Sequence, residues 1–160
     1  MQPLMRSDDE GPELARFGVV TGGRPLTLNS ERKDRWGARA ATAEWKVAAG
    51  WALKEHRLHR HRFEAVVFEF TPTYVKGPMP DTANIYPTEK AIVDAVVDAG
   101  MIPDDNRWHN RGHLSRPPEV GEFTGVLVTI WPAAAPAHEC GCRSVFDRSQ
   151  RGNQLRAARR

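Results

Sequence analysis

The chain has 160 residues, a hydrophobic fraction of 40% and a formal net charge of +3. That length suits one domain with a modest core. No apolar run approaches the roughly 20 residues that cross a bilayer, and residues 1–10 lack the apolar core of a signal peptide, so a cytoplasmic protein is expected.

Residues 1–15 are polar, acidic and aperiodic, and are expected to form a flexible N-terminus. Residues 16–21 read as a short strand, broken by Gly22-Gly23-Arg24-Pro25. A basic loop over 29–39 carries Arg32, Lys33, Arg35 and Arg39. Residues 38–58 read as a helix. Its expected apolar stripe is Ala40, Ala41, Ala43, Val47, Ala48, Trp51, Ala52 and Leu53, with Trp45 beside it. A run of positive charge over 54–62 ends it, as suits a helix C-terminus.

Residues 63–71, rich in Val and Phe, read as a strong strand. Pro72, Gly77, Pro78 and Pro80 then force an irregular loop into Asp81. A second helix is expected over 87–99, with Pro tolerated in its first turn and Gly100 stopping it. Ile92, Val93, Val96 and Val97 point to the core, and Lys90, Asp94 and Asp98 share the other side. Asp104-Asp105-Asn106 reads as a turn, 108–114 as a ragged strand and 123–131 as an alternating strand, the last two pairing as a hairpin. Residues 132–160 are Ala/Pro-rich, then Arg-rich, and are expected to form a disordered basic tail. The order β-α-β-α-β-β over residues 16–131 implies an α+β domain: a mixed sheet with two main helices packed on it.

The tail holds the only cysteines, Cys140 and Cys142, one residue apart. That spacing rarely closes an unstrained disulfide. With His138 the pair could clip a metal, but a structural zinc site wants four ligands and no second Cys pair exists. A reduced pair in a flexible tail is the plainer reading. His109 and His113 have the spacing of a zinc-protease helix, but the segment reads as extended and no Glu follows His109, so that motif is rejected.

The acidic residues carry more information. Asp81 precedes the second helix, and Asp104 and Asp105 follow it, so acids distant in sequence can converge at one site. Clustered carboxylates repel one another unless a cation sits between them. An acidic focus in a basic chain suggests a hard metal ion acting on a polyanion. Asp81, Asp104 and Asp105 are therefore candidate Mg²⁺ ligands; the plain alternative for the Asp-Asp pair is an ordinary solvated turn. Lys90 can steady a phosphate or a leaving group, or simply pair with Asp94 one helical turn away. Asp94 reads as structural or as support for Lys90, and Asn84 as ordering its loop. Glu69 is either a solvent-facing strand residue or an additional acid of the site. Arg32, Lys33, Arg35 and Arg39, with the basic run over 54–62, are candidates to neutralise DNA phosphates, and Asn29 is a candidate DNA contact beside them. Trp36 would stack on an unpaired base or anchor the loop on the core.

Asp81-x-x-Asn84, Lys90-Ala91-x-x-Asp94-Ala95 and Ala99-Gly100-x-x-x-Asp104-Asp105 together resemble the core of the RusA-type Holliday-junction resolvases. Pro25-Leu26-Thr27-Leu28-Asn29, followed by Arg32 and Trp36, is similar to the family's N-terminal loop. The resemblance covers roughly residues 17–131. It departs at Ala83, where the family usually has a second Asp, and in a longer stretch between Asn84 and Lys90. The resemblance implies a RusA-like fold, a homodimer, and a Mg²⁺-dependent endonuclease that resolves four-way DNA junctions in recombination or repair. A phage setting is also implied. It places Asp81, Asp104 and Asp105 among the site's acids and Lys90 beside them. Ala83 implies a metal held by fewer protein oxygens, with Mn²⁺ favoured. It also motivates the alternative of a branched-DNA-binding protein whose site is weak or inactive.

Overall fold

The computed structural model describes residues 15–29, 34–77, 79 and 85–133. The elements in chain order are β1 (Ala15–Val19), α1 (Arg35–Glu55), a 3-10 turn (Leu58–Arg60), β2 (Ala65–Tyr74), α2 (Tyr86–Asp98), β3 (Asn110–Ser115), β4 (Glu119–Val120) and β5 (Gly125–Ala133). This is the expected α+β order with one two-residue strand added. The mixed sheet runs β1-β5-β2-β3, with β4 also paired to β2. β5 is antiparallel to both β1 and β2, whereas β3 and β4 run parallel to β2.

The expected hairpin between the last two long strands does not form. β3 and β5 lie on opposite sides of β2. Burial explains the placement. Val126, Val128 and Ile130 make β5 apolar enough for the sheet interior, while β3 opens with Asn110-Arg111-Gly112 and takes the edge. The chain passes from one side of β2 to the other beyond its end, where β4 pairs with Thr73 and Tyr74.

One core lies between the sheet and the two helices. Val66, Phe68 and Phe70 of β2 meet Ile92, Val93 and Val96 of α2 and Trp45, Ala49 and Leu53 of α1. The helix α1 starts at Arg35 because the Asp34 carboxylate accepts hydrogen bonds from the backbone N–H groups of Trp36 and Gly37 at 3.1 and 3.0 Å. Its buried stripe differs from the expected one. Trp45 is 1% exposed, whereas Val47 and Trp51 are 60% and 66% exposed. Trp45, Ala49, Ala52 and Leu53 take the sheet side because no charged residue shares their stripe, whereas the equally large Trp51 lies among the exposed Glu44, Lys54 and Glu55.

The helix α2 ends as Gly100 foretells. Gly100 has φ +70°, its N–H donates to the Val97 carbonyl, and the Met101 N–H donates to the Val96 carbonyl. These are the two hydrogen bonds of a Schellman motif, and Met101 and Val96 are both buried in the core beside it. Among the described residues no helix is long and apolar enough to cross a membrane.

Candidate functional site

After α2 the chain doubles back along the helix, and Asp105 reaches Lys90. The Lys90 ammonium donates to Asp105 Oδ2 and, at 2.6 Å, to Asp94 Oδ1. One cation thus sits between two carboxylates, one from the helix and one from the turn. All three side chains are partly exposed. Partial burial works to lower the Lys90 pKa, but the hydrogen bonds and charges of Asp105 and Asp94 outweigh it and hold the ammonium above its ordinary value. The hydrogen bond from Lys90 holds the Asp105 carboxyl below its ordinary value, against a smaller opposing effect of burial.

Asp104 plays a different part. Its Oδ1 accepts from the Asp105 N–H at 2.8 Å and its Oδ2 from the Asn106 side-chain amide at 2.9 Å. Asn106 Oδ1 in turn accepts from the Trp108 N–H. Asp104 and Asn106 thus fix the turn that presents Asp105. Asp104 itself is exposed.

The residue before Lys90 points the other way. Glu89 is 1% exposed. Its carboxylate accepts from Ser115 Oγ at 2.7 Å and lies 2.6 Å from His113 Nε2. His113 also rests against Phe70, with ring centroids 4.7 Å apart. This network around the buried Glu89 ties the first turns of α2 to β3 and fixes the rotation that presents Lys90 outward. Next to it, Thr88 Oγ1 accepts from the Leu26 N–H at 2.7 Å and donates to the Leu26 carbonyl. The loop carrying Pro25 and the exposed Asn29 is therefore docked on the same helix turn.

Sequence reasoning missed Glu89, Thr88 and Ser115, and took His113 only as half of a rejected zinc pair. A signal was present. Glu89, Ile92, Val93 and Val96 follow the helical repeat, so Glu89 lies in phase with the apolar stripe, where a carboxylate must find a partner.

The remaining candidates fall in several places. Trp36 is 80% exposed, with the Arg39 guanidinium 5.4 Å from its ring centroid. It does not anchor the loop on the core. Arg35 opens α1. Glu69 pairs with Arg116 at 2.8 Å. His109 Nδ1 lies 2.6 Å from the Glu64 carbonyl oxygen, apart from the partners of His113. In the basic run, Arg62 donates to the carbonyls of His59 and His61, closing the chain after α1. Asp81, Ala83, Asn84, Arg32, Lys33, His138, Cys140 and Cys142 lie outside the described residues. Among the described residues, no three His, Cys, Asp or Glu side chains form a metal-binding group.

No protein-family model matches the chain, and no curated protein matches it at a significant level.

Proposed function

We propose that the protein is a divalent-metal-dependent, structure-selective endonuclease of the RusA type that cuts four-way DNA junctions. One observation carries the reading: Asp105 and Lys90, 15 positions apart, meet at an accessible place on α2. These are two of the positions on which the resemblance to the resolvases rests.

The donor chemistry fits Mg²⁺, which takes one or two carboxylates and retains several waters. Asp105 and Asp81 would hold it, with Asp104 keeping the turn in shape. When bound, the metal would supply an activated water and charge stabilisation for phosphodiester hydrolysis. The protein's own residues do the rest. The Asp105 carboxylate stays ionised because Lys90 lowers its pKa. Lys90 stays protonated and carries a positive charge that can turn from Asp94 toward a phosphate or a departing oxygen. The buried Glu89, with its partners His113 and Ser115, holds the helix rotation on which the position of Lys90 depends. Arg32, Lys33, Arg35 and Arg39 would neutralise phosphates, with Asn29 donating a hydrogen bond to the backbone and Trp36 exposed for stacking. A homodimer would match the two-fold symmetry of a junction cut in two strands.

A second reading is a branched-DNA-binding module with a weak site. It is favoured by Ala83, which cannot ligate, and by Lys90 already satisfying Asp105 and Asp94. Incubation with a synthetic four-way junction and Mg²⁺ separates the two. Paired cuts support the nuclease; a shifted but intact junction supports the module. For either reading, joint Ala replacement of Arg32, Lys33 and Arg35 should reduce the salt slope of junction binding by up to about 3. An unchanged slope removes this loop from the DNA interface.

A further inference from the structure

A helix with one face on a core is normally polar on the other. The helix α1 is not. Opposite the buried Trp45, Ala49 and Leu53 it presents Val47 and Trp51 to solvent, 60% and 66% exposed. These two lie between Glu44 and Lys54, both exposed. Positions 44, 47, 51 and 54 alternate steps of three and four, the spacing of a coiled-coil seam.

Grooves flank the ridge on both sides. One, of about 730 Å³, lies between α1 and α2 and includes Ala43, Gly50, Ala95 and Ala99 in its lining. The other, of about 460 Å³, lies toward β1 and is bordered by Gly18, Val20, Glu44 and Glu55. At Gly50 a Cβ would meet nothing within 4 Å. Glycine inside a helix costs about 1 kcal/mol relative to Ala, and among the described residues nothing packs close enough to require it here.

We propose that this face is a two-fold interface in which α1 packs antiparallel on α1 of a second copy. The occupant follows from the order of charges. With a two-fold axis crossing the helix at the level of residue 49, Val47 meets Trp51 of the second copy. The same axis sets Glu44 opposite Lys54 of the second copy, twice per dimer. The stripe is thus complementary to itself, as an isologous contact requires. The Lys54 ammonium already lies over the Trp51 ring, 5.0 Å from its centroid, so the charge that would meet Glu44 of the second copy is held at the seam. The ridge of each copy would enter the groove beside Gly50 in the other, where the missing side chain admits it. The grooves carry both signs of charge, Lys46, Lys54 and Arg62 against Glu44, Glu55 and Asp98, which suits a self-complementary face. The proposal supplies a surface for the dimer that junction cutting calls for, and its test reads mass rather than cleavage, so either idea can fail alone.

The experiment is sedimentation equilibrium of the full chain and four exposed-face variants, with folding checked by circular dichroism. Wild type is expected at twice the 17.9 kDa monomer mass. Glu44→Lys and Lys54→Glu, each alone, juxtapose like charges and should weaken the dimer about tenfold or more. An equimolar mixture of those two proteins should recover dimerisation, because opposite charges then face each other across the axis. Trp51→Glu should give monomer. Gly50→Leu, which has open space in its own chain, should keep the fold and lose the dimer. A monomeric wild type overturns the proposal, as does a dimer indifferent to both charge reversals or a mixture that recovers nothing.

Discussion

Glu89 and Lys90 are neighbours in sequence and opposites in setting. Glu89 is sealed under α2, and both of its carboxylate oxygens have fixed protein partners. Lys90 faces outward between two partly exposed acids. The buried carboxylate has both oxygens engaged, and its partners His113 and Ser115 hold the helix against β3. The outer cluster pairs opposite charges where water can replace either partner, and such pairs exchange cheaply. A site that must take up a cation or a phosphate belongs to the second kind. The first kind aims it.

The contrast can be broken by substitution. The largest effect on stability is expected at the sealed cluster. Glu89→Ala removes the partner of His113 and Ser115 and leaves a cavity, and should cost about 3 kcal/mol in urea unfolding. A loss below about 1 kcal/mol would mean that the cluster does not brace the helix.

The outer cluster should respond in titration more than in stability. Lys90 lowers the Asp105 pKa, so this pair stabilises the fold above the ordinary carboxylate range and loses that contribution as pH falls through the lowered value. Solvent screening at these partly exposed groups keeps the contribution small. In the metal-free protein, Lys90→Met should raise the Asp105 titration midpoint, read from carboxyl carbon shifts. An unmoved midpoint would show that the contact does not persist in solution. The smallest effect is expected at Asp94, which makes an ordinary i,i+4 pair with Lys90. Asp94→Ala should change stability by no more than about 0.5 kcal/mol, and a larger loss would place Asp94 in the frame of the fold.

Much of this was legible in the sequence where a local rule decides. Gly100 ended α2, the Val- and Phe-rich run of β2 became a central strand, and the spacing of Lys90 and Asp94 foretold their pairing. What failed depends on the third dimension. The α1 sequence offers two apolar stripes, and packing against the sheet selects Trp45 over Trp51. Strands β3 and β5 follow each other in sequence, yet β2 separates them because the more apolar strand takes the interior. The meeting of Asp105 with Lys90 needed the loop after Gly100 to turn back along the helix, which no spacing rule states. Glu89 lay in phase with the apolar stripe, but its partners His113 and Ser115 are supplied by a different element.

The most direct test of the account is strand cleavage of a synthetic four-way junction in Mg²⁺ by wild type and by Asp105→Asn, with junction binding and urea stability measured on both. The account predicts paired cuts by wild type. It predicts none by the variant, with junction binding kept or tightened through the loss of a negative charge, and stability changed by less than about 1 kcal/mol. Cleavage by Asp105→Asn at the wild-type rate would contradict it.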